Sequence, residues 1–124
     1  MTTVVDASVI LAWLQDEPGS DRAEPLLMEG VIGAANWSEV LQKSRQHGVD
    51  TELVARLLVS FGLGVADVTQ PDAEQAALLW RKGSGFSLAD RLCIALGLRL
   101  GLPVATNDRH WLGQHEAPEL LLLR

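Results

Sequence analysis

The sequence predicts a three-layer α/β/α domain whose mostly parallel sheet has roughly five strands. Short β-branched or apolar runs alternate with amphipathic segments along the chain, the pattern of strands joined by crossover helices. The last run, Leu120 to Leu123, is apolar without a break, as expected of a strand covered on both faces. A length of 124 residues fits one domain, 1–124, with enough interior to fold without a disulfide or structural metal.

Thr2-Thr3-Val4-Val5 is the first strand. Asp6-Ala7-Ser8 hands over to a helix from Val9 to Leu14 that ends before Pro18-Gly19. Asp21 to Met28 is a second helix, although Pro25 weakens its first turn. Val31-Ile32 and its neighbours form the second strand. Asn36-Trp37-Ser38-Glu39 opens a helix to about Gln46, stopped by His47-Gly48. Asp50 or Thr51 caps the next helix, Glu52 to Phe61, with Leu53, Leu57 and Leu58 on one face. The two helices read as an αα-hairpin.

Val65 to Val68 is the third strand, ended by Thr69-Gln70-Pro71. Asp72 to Lys82 is helical, with an apolar stripe of Ala76, Leu79 and Trp80. Gly83-Ser84-Gly85 is a break before the longest helix, Ser87 to Leu100 and Gly101. Pro103 to Thr106 is the fourth strand, Asp108 to Trp111 a helical turn, and Leu120 to Leu123 the last strand.

The 10 Lys and Arg against 16 Asp and Glu leave a formal charge of −6. That argues against a simple basic-patch nucleic-acid binder, since phosphate attraction needs clustered cations. It leaves open a nucleic-acid enzyme whose positive charge arrives with a metal. The lone Cys93 excludes an internal disulfide framework and a Cys-based zinc site, and its apolar surroundings predict a buried, inert thiol. No run approaches the ~20 apolar residues of a membrane span. The first residues lack the basic start and cleavage site of a signal peptide, so a cytoplasmic location is expected.

Four acids stand out by position. Asp6 ends the first strand, Glu39 opens the helix after the second, Asp90 lies in the first turn of the long helix, and Asp108 follows the fourth strand. In an open parallel sheet, strand ends and the starts of following helices share one rim, where ligands bind. Capping is the competing reading. Asp6 and Asp108 could be N-caps, and Asn36-x-x-Glu39 and Ser87-x-x-Asp90 have capping-box spacing. Capping alone, however, does not require all four acids at one end of the sheet.

If the four meet, they need a counter-ion. Two carboxylates ~4 Å apart repel by ~4 kcal/mol at an effective dielectric near ~20. An all-oxygen ligand set selects a hard cation, Mg²⁺ or Mn²⁺. Such an ion can hold a phosphodiester oxygen and acidify a bound water, which points to phosphodiester hydrolysis. Without the four acids, twelve acids face ten bases, so most of the charge excess resides in this proposed pocket.

Val4-Val5-Asp6-Ala7-Ser8, Asn36-Trp37-Ser38-Glu39-Val40, Ser87-Leu88-Ala89-Asp90 and Ala105-Thr106-Asn107-Asp108-Arg109 resemble the motifs of PIN-domain ribonucleases. Size and element order resemble the VapC-type toxins of bacterial toxin–antitoxin pairs, over nearly the whole chain. The resemblance implies an RNA substrate, a VapB-like antitoxin and a homodimer. It makes Asp6, Glu39, Asp90 and Asp108 the catalytic quartet. Asp6 and Asp90 would be the principal metal ligands. Asp108 would bind metal directly or through water, and Glu39 would complete the site. Ser8 and Thr106 match small hydroxyl positions beside it.

Two other functions compete. A receiver-type phosphoacceptor also carries acids on one rim, but it wants a Lys near the last strand. Lys43 and Lys82, the only lysines, fall in predicted helices. A non-catalytic binding module would instead use the αα-hairpin, through Val54, Leu57, Leu58 and Phe61. Other residues read as structural. His47 complements a helix C-terminus, His110 and His115 are surface residues, and Trp13, Trp37, Trp80 and Trp111 fall on apolar stripes. Arg91 and Arg109, each beside a site acid, are surface residues or phosphate contacts.

Overall fold

Val4 and Val5 are adjacent, so in a strand they face opposite sides of the sheet. Both are fully buried: Val4 belongs to one hydrophobic cluster and Val5 to another. This two-sided burial organises the fold, seen in a computed structural model that describes residues 2–111 and 119–122. The elements are β1 (Val4–Val5), α1 (Ala7–Leu14), α2 (Ser20–Leu27), β2 (Val31–Gly33), α3 (Ala34–Gln46) and α4 (Thr51–Ser60). Then follow β3 (Gly64–Ala66), α5 (Gln70–Leu78), α6 (Leu88–Leu100), β4 (Val104–Thr106), a 3-10 turn (Arg109–Trp111) and β5 (Leu120–Leu122).

All strand pairs are parallel, in the order β3-β2-β1-β4-β5. Val4 pairs with Val31 on one side and Val104 on the other. Val5, Ile32 and Ala105 join α1, α2 and α4 in one core. Val4, Val31 and Val104 join Cys93, Ile94, Leu96 and Trp111 in the other. The expected three-layer α/β/α arrangement with five parallel strands is present. Among the described residues, no helix is long and apolar enough to cross a membrane.

Several boundaries differ from expectation. α1 starts at Ala7, so Asp6 takes its N-cap position, and α3 starts at Ala34 behind Gly33. Asn36 therefore lies inside α3, and no Asn36–Glu39 capping box forms. Thr69, expected to end a strand, caps α5 in a capping box with Asp72. α5 ends at Leu78, short of the expected Lys82. Pro25 sits inside α2, beyond its first turn. On α4, Val54 and Leu58 point inward while Leu53 and Leu57 are exposed, so the expected single face of Leu53, Leu57 and Leu58 is split.

α6 follows its reading closely. Ser87 caps it in a capping box with Asp90, and Gly101 ends it at φ 67°, a left-handed conformation that glycine adopts without strain. His47 ends α3 with Nδ1 2.8 Å from the Lys43 carbonyl, as expected. His115 and Leu123 lie outside the described residues.

Candidate active site

Strand order reverses between β1 and β4, which makes the crevice at their carboxyl ends the natural ligand site of a parallel sheet. Asp6 directly follows β1 and Asp108 lies just beyond β4. α6 leads back into β4, so its N-terminal turn, with Asp90, opens at the same rim, and α3, which follows β2, brings Glu39.

Asp6 occupies an N-cap position but its side chain makes no cap bond. Instead, Ser8 Oγ donates to Asp6 Oδ2 at 2.7 Å and Thr106 Oγ1 donates to the same oxygen at 2.8 Å. The hydroxyls are held in turn: the Asn107 amide donates to Ser8 Oγ at 2.8 Å, and the Asp108 amide to Thr106 Oγ1 at 3.1 Å. Both side-chain bonds fall on Oδ2, so Oδ1 is the oxygen left for a ligand among the described residues.

The other acids divide their oxygens in the same way. Asn36 Nδ2 donates to Glu39 Oε1 at 3.2 Å. The Ser87 amide donates to Asp90 Oδ2 at 3.0 Å, and the His110 amide to Asp108 Oδ1 at 2.9 Å. Capping and site readings are thus compatible for Asp90 and Asp108, because a cap occupies one carboxylate oxygen.

Asp6 is 5% exposed, and burial pushes its pKa from 3.8 to about 6. The Ser8 and Thr106 hydrogen bonds oppose the rise, while the charges of Asp90 and Glu39 add to it. Glu39 is also raised, by burial and then by Asp90, with Asn36 and Lys43 working against both. Burial together with Asp6, Asp90 and Glu39 drives the Cys93 thiol upward, which leaves it protonated and inert. Asp6, Glu39 and Asp90 thus form one electrostatic cluster. Asp108 shares the rim and the hydrogen-bond chain, but its carboxylate is exposed and turned to the 3-10 turn.

Among the described residues, no three Asp, Glu, His or Cys side chains stand close enough as placed to share an ion directly. The donor chemistry nevertheless fits a divalent cation. Mutually repelling carboxylates, each with one oxygen oriented by a hydrogen bond and one left over, are a hard-cation ligand set.

Neighbouring residues resolve other expectations. Arg91 Nη1 donates to the Ala76 carbonyl at 2.8 Å, tying α6 to α5. Trp111 is fully buried, and Trp13 meets Phe61 edge-on at 5.4 Å. Trp37 packs against the core, but Trp80 is 60% exposed, because α5 ends before its turn can bury it. In the sequence Asn36 reads as a potential cap at the start of the Asn36–Val40 segment; its contacts with both Glu39 and Ala89 depend on how α3 and α6 pack.

A PIN-domain family model matches residues 3–115. The chain belongs to the PIN-domain family. The solved structures it resembles include a toxin–antitoxin complex from Klebsiella pneumoniae, at 18% identity and a TM-score of 0.78, covering 99% of this chain and 98% of that one. The DNA-bound VapBC of Salmonella typhimurium aligns at 16% identity and a TM-score of 0.74, covering 100% of this chain and 99% of that one. A sarcin–ricin-loop-cleaving VapC toxin from Mycobacterium tuberculosis aligns at 17% identity and a TM-score of 0.71, covering 87% and 91%. At these identities the likeness establishes the PIN fold. No curated protein matches the chain by sequence. PIN-domain nucleases generally use a divalent metal, in keeping with the donor set at this rim.

Proposed function

We propose that this PIN domain is a divalent-metal-dependent endoribonuclease, the cytoplasmic toxin of a toxin–antitoxin pair. The observation that carries the reading is the placement of Asp6, Glu39 and Asp90 in one repelling cluster at the sheet's switch point. Asp6 and Asp90 would be the principal ligands of Mg²⁺ or Mn²⁺, with Asp108 joining directly or through water. Such an ion would supply polarisation of a phosphodiester oxygen and acidification of water near neutral pH. The chain's residues do the rest. Ser8 and Thr106 fix the Asp6 carboxylate, the Ser87 amide fixes Asp90, and Glu39 completes the site and orients the attacking water.

The support for a toxin role is structural likeness to VapBC and other toxin–antitoxin proteins. We accordingly assign RNA as substrate, a VapB-like antitoxin as inhibitor and a homodimer as the working form. An antitoxin Arg entering the carboxylate cluster would inhibit by occupying the metal's ligands.

The test is cleavage of mixed cellular RNA by purified protein, with metal and in excess chelator. Cleavage is expected only with Mg²⁺ or Mn²⁺ and is abolished in Asp6→Asn and Asp90→Asn, whose folding is checked by melting temperature. Robust cleavage in chelator, or by both variants, would overturn the assignment.

A further inference from the structure

Asn36 is 1% exposed and sits three residues before Glu39 on α3. Its side-chain amide has two hydrogens and finds two acceptors: Glu39 Oε1 at 3.2 Å and the Ala89 carbonyl at 3.3 Å. Ala89 immediately precedes Asp90 in the first turn of α6. A single amide group therefore spans the two helices that carry two of the three clustered acids.

The amide has one workable orientation. Turned over, it would set Oδ1 against a carboxylate and a carbonyl, acceptor against acceptor. In the orientation present, Oδ1 is buried with no hydrogen-bond partner among the described residues. An unpaired buried acceptor works against folding, a burden that an apolar side chain of similar size would not carry. Asn is also a weak helix former. The two donated bonds offset part of that burden, so stability does not single out an amide here, whereas the site does. Glu39 and Asp90 repel each other across the gap between α3 and α6, and Glu39 is only half-buried. A donor shared between Glu39 and the turn bearing Asp90 opposes that repulsion.

We propose that Asn36 is a positioning residue that ties Glu39 to the Asp90-bearing turn of α6, so that both carboxylates face one divalent cation. The proposal rests on the metal-dependent reading above and assigns Asn36 no contact with metal or RNA.

The test compares wild type and Asn36→Leu by Mn²⁺ titration calorimetry, alongside the Mn²⁺ requirement for RNA cleavage. Asn36→Leu is expected to keep the wild-type melting temperature within a few degrees. It should bind Mn²⁺ about tenfold more weakly, as loss of a ligand-orienting hydrogen bond does. The Mn²⁺ concentration for half-maximal cleavage should rise by a similar factor. If Asn36→Leu does not fold, Asn36→Ser, which fits the space and keeps one donor, is read in its place and should weaken binding severalfold. Unchanged Mn²⁺ affinity in a folded variant overturns the role of Asn36 and leaves the metal-dependent reading standing. Absence of Mn²⁺ binding by wild type overturns both.

Discussion

Thr106 Oγ1 donates a hydrogen bond to Asp6 Oδ2 across 2.8 Å, joining positions 100 residues apart in the chain. Thr106 ends β4 and Asp6 directly follows β1, so the bond exists only because the sheet sets those neighbouring strands side by side. It occupies one oxygen of a buried carboxylate, the same Oδ2 that accepts from Ser8. The same hydroxyl accepts the Asp108 amide at 3.1 Å, so a single Thr couples the ends of both strands.

Thr106→Val keeps the shape and removes this donor and acceptor together. The variant should lose about 1–3 kcal/mol in chemical denaturation, the range for leaving buried polar groups unpaired. Mn²⁺ affinity should fall by roughly 10–100-fold, as for other ligand-orienting residues. An unchanged affinity measured by calorimetry would remove Thr106 from the site.

The raised Asp6 carboxyl makes stability depend on pH in a direction opposite to ordinary acid denaturation. Its folded-state pKa of about 6 exceeds the ordinary 3.8. Between those values the metal-free native state holds a proton that the unfolded chain has released. The stabilisation is full below pH 3.8 and is lost as pH rises through about 6, a difference of ~3 kcal/mol. Metal-free protein should therefore melt at a higher temperature at pH 5 than at pH 7, and Mg²⁺ should restore the lost stability at pH 7. A thermal scan in chelator that showed the reverse trend would contradict this account of Asp6.

Asp6→Asn should separate stability from chemistry. Removing the buried charge should raise the metal-free melting temperature at pH 7 and flatten its change between pH 5 and 7, while RNA cleavage disappears. Loss of stability at pH 7 in chelator would show that the wild-type carboxylate is not strained by burial.

The Asp72–Arg99 pair provides a control of opposite sign. Asp72 is 4% exposed, completes the α5 capping box by accepting from the Thr69 amide, and meets Arg99 Nε at 2.8 Å. Burial favours its neutral form, but Arg99 and the Thr69 hydrogen bonds outweigh this and hold the pKa below 3.8. Its stabilisation is present above pH 3.8 and is lost as pH falls below that value. Asp72→Asn should lower stability by about 1–2 kcal/mol, mostly through the cap because Arg99 is 35% exposed. Mn²⁺ affinity should not change; a loss would place Asp72 in the site after all.

Gly85 has φ 77°, and a Cβ there would lie 2.9 Å from His110 Nε2, the atom that meets the Ser84 carbonyl at 2.6 Å. Gly85→Ala should destabilise the protein by roughly 1–3 kcal/mol through backbone strain and displacement of His110. Wild-type denaturation behaviour would mean that the segment before α6 yields freely around His110.

The order of elements was legible because it rests on local pattern. Ser87-x-x-Asp90 and the glycine after Leu100 carry their own physical reasons and delimit α6 as expected. The β-branched runs mark where β1 and β3 lie but not their ends, since β1 is only Val4–Val5 and β3 is Gly64–Ala66. The acids' positions at strand ends and helix starts were legible too, since a parallel sheet gathers such positions on one rim. What each acid does there was not. Whether Asp6 caps its helix or takes hydroxyls from Ser8 and Thr106 depends on β4 lying beside β1. Whether Asn36 caps α3 or bridges it to α6 depends on Gly33 and Ala34 starting the helix earlier and on α6 packing against it. The same holds for Trp80 and Trp111, which both lie on apolar patterns, one exposed and one buried. Sequence alone determined the layers and the rim. Tertiary packing decided which carboxylate oxygens were occupied, because those partners come from segments distant in the chain.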